Sequence, residues 1–150
     1  MPFGVVYHHV SMRILVPIDD SPQAEKALVH ALETYPDAEF TALYVLDPIG
    51  HWSDGAPFPT RLGDWYAELE ERAVDIFDRA GTLAAERGID LQTETRTGEP
   101  DRAIVEYATD EPFDAIVIGS HGRHGLSRVV LGSVAEAVVR RSPIPVTVVR

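Results

Sequence analysis

The chain has 150 residues, 45% of them hydrophobic, no cysteine and a formal net charge of -11. That length supports one well-buried core and is short for two. The missing cysteines exclude disulfides, thiolate metal sites and thiol nucleophiles, and the acidity excludes a general nucleic-acid surface, which needs a clustered basic excess.

No run of roughly eighteen apolar residues occurs, and Met1 to Val10 hold neither a basic leader nor a long apolar stretch, so a cytoplasmic protein outside the membrane is expected. A single lysine, Lys26, stands against twelve arginines, and acidic residues are spread along the chain. This is the composition of a salt-adapted protein, whose carboxylates keep the surface hydrated while counterions screen them. A genome rich in G and C would favour arginine in the same way.

Residues 1–11 differ from the rest of the chain, because Met12-Arg13-Ile14-Leu15-Val16-Pro17-Ile18-Asp19 is a self-contained strand with its own methionine. An N-terminal extension, mobile or outside the true start, is expected there, with the domain over 12–150. His8-His9 are adjacent, so on an extended segment they face opposite sides and make no metal site. Ile14 to Ile18 is nearly all apolar, as a strand buried on both faces of a parallel sheet requires. Ser21-Pro22 then supplies an N-cap and a proline at the first helical position. Ala24, Ala27, Leu28, Ala31, Leu32 and Tyr35 repeat at helical spacing, and the helix should end near Pro36.

Glu39 to Leu46 is the second strand, closed by Asp47-Pro48. Residues 47–60, rich in Gly and Pro, form the one long loop, of a size that usually serves a function or moves. From Leu62 through Trp65, Tyr66, Leu69, Ala73, Ile76, Phe77, Ala80, Leu83 and Ala84 an apolar stripe marks a long helix, ended by Gly88. The aromatic residues of that stripe are expected in the core. Ile89 to Arg96 alternates like an edge strand. Thr97-Gly98-Glu99-Pro100 turns into a helix whose Ala103, Ile104, Tyr107 and Ala108 face inward. Ala115 to Ile118 is the fourth strand, Ser133 to Arg141 the last helix and Val146 to Val149 the last strand. Regular alternation of strand and helix implies an α/β fold, an open parallel sheet with right-handed crossovers and helices on both faces. Pro143 and Pro145 suit an edge position for the last strand, which would then be free to pair with a second copy.

In such a sheet ligands bind beyond the carboxyl ends of the strands, where strand order reverses. Two strand ends carry unusual residues. Asp19-Asp20-Ser21 follow the first strand, and Gly119-Ser120-His121-Gly122-Arg123, nine residues after Gly122, lead to Gly132-Ser133-Val134 at a helix start. Glycines let a backbone approach an anion, and a helix start offers free N–H groups and a positive dipole end. Chain turning alone is the competing explanation for those glycines, and helix capping the competing one for Asp19.

Known phosphate loops are excluded by countable residues. No lysine precedes Ser133, so this is not a P-loop, and Gly119-x-x-Gly122-x-x-Gly125 lacks the G-x-G of the dinucleotide fingerprint. His121-Gly122-Arg123-His124 is not the H-x-G-H of nucleotidyl transferases, and no S-G-G-x-D-S of ATP pyrophosphatases follows the first strand. A phosphoryl-transfer receiver would need an acceptor Asp after the third strand, where Arg96-Thr97 stand.

The spacing Gly119-x-x-Gly122, nine residues, Gly132-Ser133 resembles the G-2x-G-9x-G-[ST] nucleotide motif of the universal stress protein (UspA) family. The likeness extends over residues 12–150: I-L-V-P-I-D at Ile14 to Asp19, A-L-Y-V-L-D, T-G-E-P at Thr97 to Pro100, I-V-I-G-S-H-G-R and S-P-I-P-V-T-V-V-R. The resemblance implies a five-stranded parallel sheet of order 3-2-1-4-5, Rossmann-like and akin to the adenine nucleotide alpha hydrolases, and a homodimer through Val146 to Val149. It also implies ATP binding, with Pro17, Ile18 and Asp19 around adenine and ribose and Val45 giving backbone contacts to the base. Gly119, Ser120, His121, Gly122 and Arg123 would line ribose and phosphate, while Gly132, Ser133 and Val134 would hold the phosphates. Magnesium would be bound through the ATP phosphates and not by protein ligands alone. The expected function is a regulatory stress-response module, not an enzyme beyond slow ATP hydrolysis, with no catalytic residue assigned. A nucleotide hydrolase or phosphoryl-transfer enzyme of the same fold class is the alternative, and it needs a placed general base near the γ-phosphate. His121, Asp19 and Asp20 are the residues that could serve as one.

Overall fold

The computed structural model describes residues 10–48, 61–120 and 131–150, and the elements given for them alternate between strand and helix. They are β1 (Arg13–Pro17), α1 (Pro22–Thr34), β2 (Glu39–Leu46), α2 (Leu62–Ala85), β3 (Leu91–Thr97), α3 (Pro100–Asp110), β4 (Ala115–Gly119), α4 (Ser133–Arg141) and β5 (Val146–Val149). All strand pairs are parallel and the sheet order is β3-β2-β1-β4-β5. The order reverses between β1 and β4, so their carboxyl ends frame the crevice that such a reversal opens.

Strand alternation sends neighbouring side chains to two separate cores. Phe40, Ala42 and Tyr44 of β2 face α1 and α2, where they meet Leu28, Leu32, Leu69 and Ile76. Leu43 and Val45 point the other way, into the layer of Ile104, Phe113, Ile116 and Val138 beneath α3 and α4. The fully enclosed Ile14, Leu15 and Val16 of β1 alternate between these layers, which is why the strand lacks a polar face.

The sequence expectations for α1, β2 and α4 match the observed elements, and two others move for identifiable reasons. Strand β3 starts at Leu91, not Ile89. Gly88 sits at φ 67°, and the Ile89 N–H bonds back to the Ala84 carbonyl at 3.0 Å. This is a Schellman closure of α2, so Ile89 completes a helix end before the strand can begin. Tyr66, expected in the core, is 42% exposed, whereas Trp65 is buried. Adjacent helical residues diverge by about 100°, so only one of the pair can face the sheet; their rings pack edge to face at 5.1 Å.

Beneath α3, against the second core, four side chains stack in series. The Arg96 guanidinium lies 4.8 Å over the Tyr107 ring, Tyr107 tilts against Phe113 at 5.3 Å, and the Arg13 guanidinium lies 5.1 Å over Phe113. Burial raises the Tyr107 phenol above its ordinary value near 10, helped by the carboxylates of Glu94 and Glu111. The unfolded chain therefore loses this proton first. The stability held by neutral Tyr107 is complete below about pH 10 and is lost as pH rises through the higher folded value. Tyr107→Phe is expected to flatten the alkaline limb of a stability-against-pH curve, measured by urea melts above pH 9. An unchanged limb would show that Tyr107 does not govern it.

Candidate functional site

The site is built where the backbone leaves β1 and β4. Beyond the last residues of β1, the Ile18 N–H still donates to the Leu43 carbonyl at 2.8 Å, so the strand end is held to β2 up to the turn. Asp19 then makes the turn. Its Oδ1 accepts from the Ser21 N–H at 2.8 Å, and the buried Ser21 hydroxyl oxygen accepts from the Ala24 N–H at 3.1 Å. Pro22, with no N–H to satisfy, opens the helix. Asp19 thus does help shape the start of α1, yet its second oxygen accepts from no described residue.

The other half begins at Ser120, which is buried and clamped on both sides. Its N–H donates to the Val149 carbonyl at 2.8 Å, and its own carbonyl accepts from the Gly132 N–H at 2.7 Å. That second bond brings the chain back to β4 at the start of α4, whatever course lies between. Gly132 is the N-cap of α4 and, being glycine, has no side chain to cap it; among the described residues no side chain makes that bond. A helix start leaves its first N–H groups without intrahelical partners. Ser133, Val134 and Ala135 occupy that first turn, and the Ser133 side chain is exposed. The positive end of the helix dipole adds to them. Glu136, one residue farther on, is neutralised by Arg140 at helical spacing.

Of the residues singled out in the sequence, Pro17, Ile18 and Asp19 stand at the carboxyl end of β1. Val45 stands at that end of β2, and Gly119 and Ser120 at that end of β4. Gly132, Ser133 and Val134 are brought beside them through the Ser120 clamp. His121, Gly122 and Arg123 lie outside the described residues. Among the described residues no group of three or more His, Asp or Glu is placed to hold a metal, and no helix is long and apolar enough to cross a membrane.

Neither described glycine of the motif is required by its backbone angles. Positive φ occurs at Gly88 and Gly98, while Gly132 has φ -57° and ψ 151°, open to any residue. Chain turning therefore does not explain Gly119 or Gly132. A methyl group at Gly119 would sit 2.8 Å from the backbone carbon and oxygen of Gln23. Sequence reasoning missed this contact and the Val149 clamp, since both join backbone atoms far apart in the chain.

A groove of about 210 Å³ opens between α1 and α2 at the same end of the sheet, lined by Ile18, Asp19, Ser21, Leu28, Ile76 and Arg79 among others. It belongs to the α1 and α2 layer, whereas Val45 and α4 lie on the opposite side of the sheet. Ile18 and Asp19, at the carboxyl end of β1, line it, and no described residue of β4 or α4 does.

At the reversal point of the parallel sheet the carboxyl end of β1, with Asp19, adjoins that of β4, to which the start of α4 is bonded through Ser120, the architecture of a doubly wound α/β protein. The chain belongs to the universal stress protein family, whose family model matches residues 11–150. A universal stress protein of Methanocaldococcus jannaschii is 36% identical over 143 residues, spanning 92% of this chain and 81% of that one. The structure of UspA from Lactobacillus plantarum is similar, with a TM-score of 0.73 and 32% identity over 93% of this chain and 97% of that one. The universal stress protein from Archaeoglobus fulgidus, solved in complex with dAMP, shares the fold at 22% identity. Its TM-score is 0.66, over 94% of this chain and 99% of the other.

Proposed function

We propose that this protein is an adenine-nucleotide-binding regulatory module, with ATP as its ligand and a homodimer as its working form. The observation that carries the reading is the placement of Asp19 and the start of α4 on adjacent strand ends. The two halves fit the two parts of a nucleotide. A carboxylate oxygen that accepts from no described residue suits the hydroxyls of ribose, and helix N–H groups suit phosphate oxygens. Pro17, Ile18 and the backbone of Val45 would enclose the base. Gly119, Ser120, His121, Gly122 and Arg123 would follow ribose and phosphate, and Gly132, Ser133 and Val134 would hold the phosphate chain. Magnesium, where present, would be held through those phosphates, and it would supply charge neutralisation there. Asp19 is already engaged by the Ser21 N–H, a poor arrangement for a general base, so hydrolysis is expected to be slow.

The dimer would form through β5. Val146 to Val149 are half-buried, paired with β4 on one side, and lie at the end of the sheet order. An apolar edge strand in that state is a template for a second copy.

The deciding experiment releases small molecules from the purified protein at high and low salt, identifies them by mass spectrometry, and then titrates ATP and AMP. Bound adenine nucleotide, or a dissociation constant well below about 1 mM, is expected. No nucleotide and no binding at that level would sink the reading. Sedimentation velocity on a variant with Thr147→Lys, a β5 position outside both core clusters, checks the dimer, which should dissociate while the monomer stays folded.

A further inference from the structure

We infer that Gly119, the first glycine of the motif, is a positioning residue for the nucleoside half of the site and takes no part in phosphate approach. The inference rests on the nucleotide-binding reading above.

Three observations lead to it. The backbone of Gly119 is not in the left-handed region, so its conformation does not demand glycine. Its own neighbour in the sheet is Val149, an ordinary strand pairing. What excludes a side chain is the first turn of α1: an added Cβ would lie 2.8 Å from the Gln23 carbon and oxygen and 3.0 Å from the Ala24 nitrogen. Those are backbone atoms, so no rotamer change relieves the contact, and the helix would have to lift away from β4.

The turn that would lift is the one that shapes Asp19. The Ala24 N–H donates to Ser21 Oγ, and the Ser21 N–H donates to Asp19 Oδ1. Position 119 is therefore linked to the Asp19 carboxylate through the close pass of α1 and two hydrogen bonds. The start of α4 is tied to β4 through Ser120 and Gly132 instead, independently of α1. A bulkier residue at 119 should misplace the carboxylate and spare the phosphate-binding helix start.

The test is Gly119→Ala, titrated calorimetrically with ATP, adenosine and tripolyphosphate beside the unaltered protein. Adenosine and ATP should bind about tenfold more weakly, the loss of one well-made hydrogen bond to a charged group. Tripolyphosphate should bind within about twofold of the unaltered protein. Amide exchange at Ala24 should accelerate with no nucleotide present. Equal loss of tripolyphosphate and adenosine, or unchanged exchange at Ala24, overturns the inference. Absence of ATP binding to the unaltered protein would instead overturn the proposed function, and the exchange result would still be read. Should Gly119→Ala not fold, it is repeated together with Gly81→Ala, a mid-helix position with open space around its Cβ, where alanine favours the helix. Ser21→Ala removes the oxygen that accepts from the Ala24 N–H, the middle link of the same chain, and leaves the residues of β4 unaltered. It must show the same division between adenosine and tripolyphosphate, and its failure to do so also overturns the inference.

Discussion

Gly132→Val is expected to weaken ATP binding by about a hundredfold or more while the protein still folds. Phosphate held at the start of α4 would receive charge-assisted hydrogen bonds from backbone N–H groups, each worth about 1.5–3 kcal/mol. Denying the approach of two of them gives a hundredfold or greater loss. The branched side chain of valine would stand at the N-cap, where a phosphate oxygen must come close to backbone. Folding should survive for a specific reason. Gly132 has φ -57° and ψ 151°, which valine adopts without strain. Its hydrogen bonds to Ser120 and from Glu136 use backbone atoms that the substitution keeps. Exchanging glycine for a poor N-cap residue costs about 1 kcal/mol. Calorimetric titration and a thermal melt check both halves. An unfolded variant would give Gly132 a purely structural role, and retained affinity would remove it from the phosphate site.

Phe40→Ala should have the largest effect on stability, a loss of about 3–5 kcal/mol. Phe40 is 1% exposed and heads the fully enclosed large side chains. It pairs in register with Ile14 of β1 and Leu91 of β3, so it closes the middle of the α1 and α2 layer. The sheet around it cannot collapse into the space left, since both neighbouring strands are hydrogen-bonded to β2. Against a total of about 5–15 kcal/mol this is a large share, and the melting temperature should fall by roughly 10–15 °C. Val139→Ala, at a position 47% exposed on α4, should change stability by only about 0.5 kcal/mol. A drop for Phe40→Ala no larger than for Val139→Ala would mean that this layer does not dominate the core.

The contrast between the two glycines bears on how the site works. Gly119 and Gly132 belong to one sequence pattern, yet one meets the backbone of a helix that precedes it by nearly a hundred residues, and the other caps the helix directly after it. The motif thus joins a glycine that α1 packs against to a glycine at a helix N-cap.

Much of the architecture could be read from local chemistry. Ser21-Pro22 announced α1 because a capping hydroxyl and a proline without N–H are needed only at a helix start. The 39–46 strand and the Ser133–Arg141 helix were bounded by turn residues on both sides. Where two signals competed, the reading slipped: the Schellman closure at Gly88 took Ile89 from β3, and helical geometry let Trp65 into the core but kept Tyr66 out. The alternation of strand and helix, the spacing of the glycines and the family likeness are properties of the order of residues. They depend on interactions within a few positions, or on a pattern of exact intervals.

The Val149–Ser120 clamp and the close pass of α1 over Gly119 depend on which strands become neighbours. Residue order records no signal for a backbone carbonyl that meets an amide 29 positions away, as Val149 meets Ser120, because every residue carries the same backbone groups. Once β4 lies beside β1, Asp19 and Ser120 stand at adjacent strand ends, and Gly132 is bonded to Ser120. The reason is geometric: side-chain chemistry selects the elements, but backbone-to-backbone distances are set by how those elements pack.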